Sequence, residues 1–220
     1  MARTVVPDKP HHITQRGNNR QDVFFVDDDR RVYLRLLAEH CGEFGVEIVA
    51  YCLMTNHVHL IAVPHKTDSL ARALGRVHLR YTNYVNRMHK RSGHLWQNRF
   101  YSSVLGPGHL AKALAYVERN PVRARIVRRA WTYPWSSATA HVGGDDPSGL
   151  LDLRAWFRRH SAEQWKAVLA HREDPDFLAE IRSKTYRGWP LGTDSFISKL
   201  EKLMGRRMRP LPLGRPRKNG

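Results

Sequence analysis

The sequence predicts an α+β fold of the split βαβ type, an antiparallel sheet with helices packed on it, continued by a helical, basic C-terminal extension. Two observations predict it. Short β-branched runs alternate with stretches of helical periodicity in the order β, α, β, β, α, β, α. Within that order, "VEIVAYCLMTNHVHLIAVP" is broken only at Thr55-Asn56, so two strands are joined directly by a tight hairpin turn.

The first strand is "HHITQRG", residues 11–17, which alternates and ends at a glycine. The polar loop "NNRQDVFFVDDD" follows. Asp27 to Asp29 then supply the N-cap and acidic first turn of a helix. Tyr33, Leu36, Leu37, His40 and Phe44 recur along it at helical spacing, and Gly42 and Gly45 mark its end. The hairpin strands cover about 46–54 and 57–63, and Pro64 stops the second.

From Asp68 to about Lys90, Leu70, Leu74, Val77, Tyr81, Tyr84, Val85 and Met88 form one apolar stripe, which predicts a long helix. "HLWQNRFYSSVLG", 94–106, is aromatic and β-branched and predicts the fourth strand. "GPGHLAKALAYVERNPVRARIV" opens another helix, with Leu110, Leu114 and Val117 on its buried face and Asn120-Pro121 interrupting it. The first domain is expected to cover 1–140, and "GGDDPSG" at 143–149 reads as a linker or surface loop. A helical extension over 141–205 follows, with helices around Leu151–His160, Ala162–His171, Phe177–Lys184 and 194–204. The remaining 206–220 is Arg/Pro/Gly-rich and is expected to be a DNA-contacting tail, disordered when unbound.

The formal net charge is +17, from 37 Lys and Arg against 20 Asp and Glu. Such an excess repels itself unless a polyanion offsets it. Nucleic acid is therefore the expected partner. A membrane surface would call for a basic amphipathic helix with a strong apolar face, which the sequence lacks. No run approaches the roughly 18 consecutive apolar residues of a membrane span. Cys41 and Cys52 make neither a disulfide framework nor a thiolate zinc site. "MARTVVPDKPHH" carries no apolar secretory core. The expected location is the cytoplasm, in association with the nucleoid.

Two positions raise a question of chemistry. His57 and His59 in "TNHVHLIAV" are one residue apart in a strand, so they project from the same sheet face. Two neutral imidazoles at that spacing can share a cation, or they can be hydrogen-bonded core histidines. Tyr116 and Asn120 in "AYVERNPV" are four apart, a turn apart on one helix face and off the stripe of Leu110, Leu114 and Val117. A tyrosine so displaced is free to act, and the asparagine carbonyl suits a hard cation. The same residues also fit a rim tyrosine and an N-cap followed by proline.

"NHVHL" after a strand hairpin, with "YVERNPVRARIV" on a later helix, resembles the HUH single-tyrosine endonucleases. More narrowly, it is similar to the insertion-sequence 200/605 transposases and their REP-associated tyrosine transposase relatives. "HHITQRGNNRQDVFF", "LWQNRFYSSVL" and "WTYPWSS" resemble the REP-associated branch, and the match runs in order through about residues 5–140. The resemblance implies a ferredoxin-like HUH endonuclease fold. It implies His57, His59 and Asn120 as ligands of a divalent ion, Mg2+ or Mn2+, and Tyr116 as the nucleophile. The implied reaction is cleavage and rejoining of single-stranded or hairpin DNA through a 5′-phosphotyrosine, with no nucleotide cofactor. A free phenol ionises only near pH ~10, so a neighbouring cation should assist.

Tyr81 and Tyr84 in "YTNYVN" resemble the two-tyrosine branch, but both lie on the apolar stripe and read as core. Arg16, Asn18, Asn19, Arg20 and Arg99, with the tyrosines near it, are candidate DNA contacts. In the tail, Gly214-Arg215-Pro216 resembles an AT-hook, with Arg215 and Arg217 as minor-groove candidates. Insertion-sequence relatives are dimers, whereas the long tail suits a monomer. Two other readings share these features: a DNA-hairpin-binding protein without turnover, and a replication or relaxase-type initiator of the HUH class. The short chain without a P-loop disfavours the second.

Overall fold

In the computed structural model, which describes residues 4–210, the strands β1 (His11–Arg16), β2 (Val46–Met54), β3 (His57–Pro64) and β4 (Tyr101–Val104) form one sheet. Their order is β2-β3-β1-β4, and every pairing is antiparallel. The helices are α1 (Asp27–Glu43), α2 (Ser69–Met88), α3 (Pro107–Glu118), α4 (Asn120–Arg123), α5 (Ala138–His141), α6 (Leu153–Phe157), α7 (Ala162–Ala170), α8 (Pro175–Arg187) and α9 (Asp194–Met204). The fold is α+β, with helices on both faces of the sheet.

Alternation along the strands divides the side chains between two cores. Ile13, Leu53, Val58 and Leu60 point to one face and pack with Leu37 of α1 and Leu74, Val77 and Tyr81 of α2. Cys52, Met54 and Ile61 point to the other and join Leu114 and Val117 of α3. This second core also takes Trp156, Trp165 and Ile181 from the C-terminal helices. The extension thus packs against α3, which is buried on two sides, and through α8 directly against β4 and β1. Among the described residues no helix is long and apolar enough to cross a membrane.

Two local expectations are corrected. The fourth strand does not span 94–106; only Tyr101–Val104 is strand. Asn98 is left-handed (φ 76°), and the segment before it meets the end of β1 at the Gly17–Trp96 bridge and through the Gln97 amide, which donates to the Arg16 carbonyl at 2.8 Å. Leu95, Trp96 and Phe100 all enter the first core, so packing overrides strand alternation there. The N-cap of α1 is Val26 rather than an aspartate. Asp29 acts from inside the first turn, its Oδ2 accepting from the Phe25 and Val26 amides at 2.7 and 3.1 Å.

Gly17 closes β1 where a side chain has no room. A Cβ there would lie 2.2 Å from the Gln21 carbonyl oxygen. The turn it permits brings Asn18 under the Leu95 carbonyl and sets the loop beside the β2–β3 hairpin.

Candidate active site

The site is built on the α3 face of the sheet. His57 and His59 share that face on β3, their ring centroids 5.1 Å apart. The β1–β3 register places Arg16 opposite His57 and Thr14 opposite His59. His12 lies two residues before Thr14, so it is the diagonal neighbour of His59 on the same face. The two rings are within 7° of parallel, and His12 Nε2 lies 3.0 Å from His59 Nδ1. His12 Nδ1 in turn lies 2.7 Å from Thr185 Oγ1 on α8.

His57 is oriented by the hairpin turn. Asn56 Nδ2 donates to the Arg20 carbonyl at 3.0 Å, which directs Asn56 Oδ1 at His57 Nδ1, 2.6 Å away. An amide oxygen only accepts, so His57 carries its proton on Nδ1 and keeps Nε2 unprotonated. Burial lowers the His12 pKa to about 3. Burial, with the charges of Arg16 and Arg123, lowers that of His57 to about 4. His59 is pushed well below its ordinary value by burial, then by the neighbouring His57 and His12. All three are neutral at pH 7, the form in which imidazole binds metal.

Tyr116 stands edge-on to two of these histidines, 5.4 Å from the His12 ring and 5.6 Å from the His59 ring. It is not the rim tyrosine that its place off the apolar stripe suggested, being only 4% exposed. The extension supplies a second surface for α3 to pack against, and Tyr116 belongs to that core. The Arg123 guanidinium lies 4.2 Å from the centre of the Tyr116 ring and donates to the Tyr116 carbonyl at 2.6 Å.

Asn120 does not cap the helix that follows it. Its Nδ2 donates backwards, to the carbonyls of Tyr116 at 3.2 Å and Val117 at 3.0 Å. It thereby satisfies the free end of α3 and leaves Oδ1 as the atom able to meet a cation. Among the described residues no cluster of three or more His, Cys, Asp or Glu is arranged to hold a metal. The donors that the sequence reading expects, two imidazole nitrogens and one amide oxygen, would be a mixture suited to a cation of intermediate hardness.

Glu118 fixes α3 from below. It is fully buried and accepts from Ser137 Oγ at 2.6 Å and Trp165 Nε1 at 2.7 Å, and its Oε1 pairs with His141 Nδ1 at 2.5 Å. Glu173, in the loop before α8, pairs with Arg119 at 3.4 Å and with Arg123.

Arg16, the last residue of β1 and opposite His57, is exposed, and in the loop that follows Asn19 and Arg20 are exposed and Asn18 is half-buried. Asn18 and Arg99 also line a cleft of about 930 Å³, together with Tyr101, Thr185, Tyr186 and Arg187. The Tyr101 and Tyr186 rings meet in this cleft, their centroids 4.9 Å apart and their planes tilted by 32°, and Tyr186 is 68% exposed. Tyr81 is core, as its place on the stripe suggests: its hydroxyl donates to the Val23 carbonyl at 2.6 Å. Arg215 and Arg217 lie outside the described residues. Sequence reasoning missed His12, Asn56, Glu118, Arg123 and Thr185. Alternation alone places His12 on a face, but only the β1–β3 register shows which face and which neighbour.

Residues 6–120 match the family model described as "Transposase IS200 like". A Haemophilus influenzae protein named as a REP-associated tyrosine transposase is 26% identical over 145 residues, 59% of this chain and 80% of that protein. The solved structure of a REP-associated tyrosine transposase bound to a REP hairpin superposes with a TM-score of 0.57 at 17% identity. That likeness covers 70% of this chain and 88% of the other, and it is a likeness of fold.

Proposed function

Because the chain belongs to the family of IS200-like transposases, we propose that it cleaves and rejoins single-stranded hairpin DNA, of the REP type, through a 5′-phosphotyrosine at Tyr116. The observation that carries this reading is the Tyr116 ring standing edge-on to His59, whose neighbour His57 shares the same sheet face. A divalent ion, magnesium or manganese, held by His57, His59 and Asn120 would polarise the scissile phosphate and stabilise its developing charge.

Tyr116 Oη would attack phosphorus; the Oη–P bond forms as the P–O3′ bond breaks, and the departing 3′ oxygen takes up a proton. The tyrosyl phosphodiester conserves the bond energy, so a 3′-hydroxyl can reverse the step without a nucleotide cofactor. Arg123 keeps positive charge against the Tyr116 ring and holds the end of α3 through the Tyr116 carbonyl. Both functions favour one placement of the nucleophile over the imidazoles.

The cleft beside β4 supports a path for the unpaired strand. The exposed Tyr186, with the half-buried Tyr101 beside it and Arg99 and Arg187 lining the same cleft, suits bases and phosphates in turn. Arg16, Asn18, Asn19 and Arg20 would extend the contact along the loop next to His57. The extension also occupies the outer edge of the sheet, through the Leu105–Leu191 bridge and the Ser103 bond to the Trp189 carbonyl at 2.6 Å. A covered edge favours a monomer over a dimer built by edge pairing.

The test is a denaturing gel. The protein is mixed with manganese and labelled single-stranded DNA spanning the palindromes beside its own gene, in parallel with Tyr116→Phe and His57→Ala. A covalent band in wild type alone is expected. A band that persists in Tyr116→Phe would remove Tyr116 as the nucleophile.

A further inference from the structure

We infer that Thr185 and His12 form a relay that sets which nitrogen of His59 carries its proton, so that the helical extension prepares a ligand of the metal site; the inference rests on the metal-site reading above. Thr185 lies on α8, far beyond the residues 6–120 matched by the family model.

The two histidines of the proposed site are held differently. His57 faces the oxygen of Asn56, which only accepts. One protonation pattern is therefore available to it. His59 faces the imidazole of His12, which can accept or donate. His12 in turn faces a hydroxyl, which can also do either.

Two patterns satisfy the chain of contacts. In the first, His12 Nδ1–H donates to Thr185 Oγ1 and His12 Nε2 accepts from His59 Nδ1–H. His59 Nε2 is then bare and can bind a cation. In the second, the Thr185 hydroxyl donates to His12 Nδ1 and His12 Nε2–H donates to His59 Nδ1. The proton of His59 then sits on Nε2 and blocks it. Burial keeps water from mixing the two patterns: His12 and Thr185 are each 1% exposed and His59 6%. The first pattern, with the Thr185 hydroxyl as acceptor, is the one that leaves His59 Nε2 free for the cation of the proposed site.

A valine at 185 removes that acceptor. The first pattern then strands a buried N–H on His12, whereas the second strands only a lone pair, which proteins tolerate better. The relay should reverse, and His59 should lose its free Nε2. Thr185 and His12 are positioning residues in this account, acting through His59.

The experiment reads the tautomer directly, by long-range proton–nitrogen correlation NMR on metal-free, histidine-labelled full-length protein. Manganese affinity is measured beside it by calorimetry, for wild type, Thr185→Val and Thr185→Ser. Wild type and Thr185→Ser should carry the His59 proton on Nδ1. Thr185→Val should carry it on Nε2 and bind manganese roughly 10- to 100-fold more weakly. Wild-type protein protonated on His59 Nε2 would overturn the relay, whether or not the valine variant folds. So would a valine variant with wild-type tautomer, or with a changed tautomer and unchanged manganese affinity. Absence of manganese binding by wild type would defeat the metal-site reading instead; the relay is then decided by the tautomers alone.

Discussion

Trp165 Nε1 donates a 2.7 Å hydrogen bond to Glu118 Oε2, and this bond ties α7 of the extension to the helix that carries Tyr116. Both residues are buried, at 2% and 0% exposure. Glu118→Leu strands the Trp165 indole donor and His141 in an apolar core, while the Ser137 hydroxyl can turn to the Tyr51 carbonyl. The expected loss is about 3–5 kcal/mol of unfolding free energy, read from denaturant midpoints. A loss below about 1 kcal/mol would mean that the network contributes little beyond packing.

Tyr116→Phe is the complementary case, a change of chemistry with the packing kept. The ring contacts with His12, His59 and Arg123 survive the loss of the hydroxyl. Covalent adduct should vanish while hairpin affinity, measured by native gel, stays close to wild type.

Asn120 distinguishes an amide from a carboxylate. Asn120→Asp adds a negative charge that by itself favours a cation. In this structure it removes the Nδ2 donor and turns an oxygen toward the Tyr116 and Val117 carbonyls. The variant should be less stable without metal by about 1–2 kcal/mol, and added manganese should recover part of that loss in a thermal melt.

His11 predicts a pH dependence. Its Nε2 accepts from the Val6 amide at 3.2 Å and its Nδ1–H donates to the Lys9 carbonyl at 2.8 Å, so the neutral ring is the bonded form. Burial lowers its pKa from 6.5 to about 4. The unfolded chain therefore binds the proton first as the solution is acidified. The stabilisation is complete above about pH 6.5 and is lost as pH falls toward 4, a change of about 3 kcal/mol at roughly 1.4 kcal/mol per pH unit. Equilibrium unfolding across that window should show the slope, and His11→Gln should reduce it.

Tyr186 tests the strand path. Tyr186→Ala removes the exposed ring of the Tyr101–Tyr186 pair and should weaken single-strand binding by about 1–3 kcal/mol without altering its salt dependence. Arg99→Ala should instead lower the salt slope by about one unit. Equal effects of both on the slope would place the strand elsewhere.

Much of this could be read from residues in order. The hairpin strands were expected at about 46–54 and 57–63 and lie at Val46–Met54 and His57–Pro64, because a two-residue turn between β-branched runs permits little else. The common face of His57 and His59 follows from strand alternation. The position of Asn120 one turn after Tyr116 follows from the helical repeat. The fourth strand was overestimated because Leu95, Trp96 and Phe100 carry a strand-like composition but are claimed by the first core.

Local sequence by itself determined the order of elements, the face of each strand residue and the pairing of groups within one turn of helix, since these depend on backbone geometry over a few residues. It did not determine that Tyr116 is buried, because that burial comes from α3 being covered by helices more than 30 residues further on. Nor did it determine that His12 meets His59 or that Thr185 meets His12, contacts separated by 47 and 173 positions. Such contacts depend on strand register and on which helix packs on which edge, and those are settled only when the whole chain competes for the same buried surface.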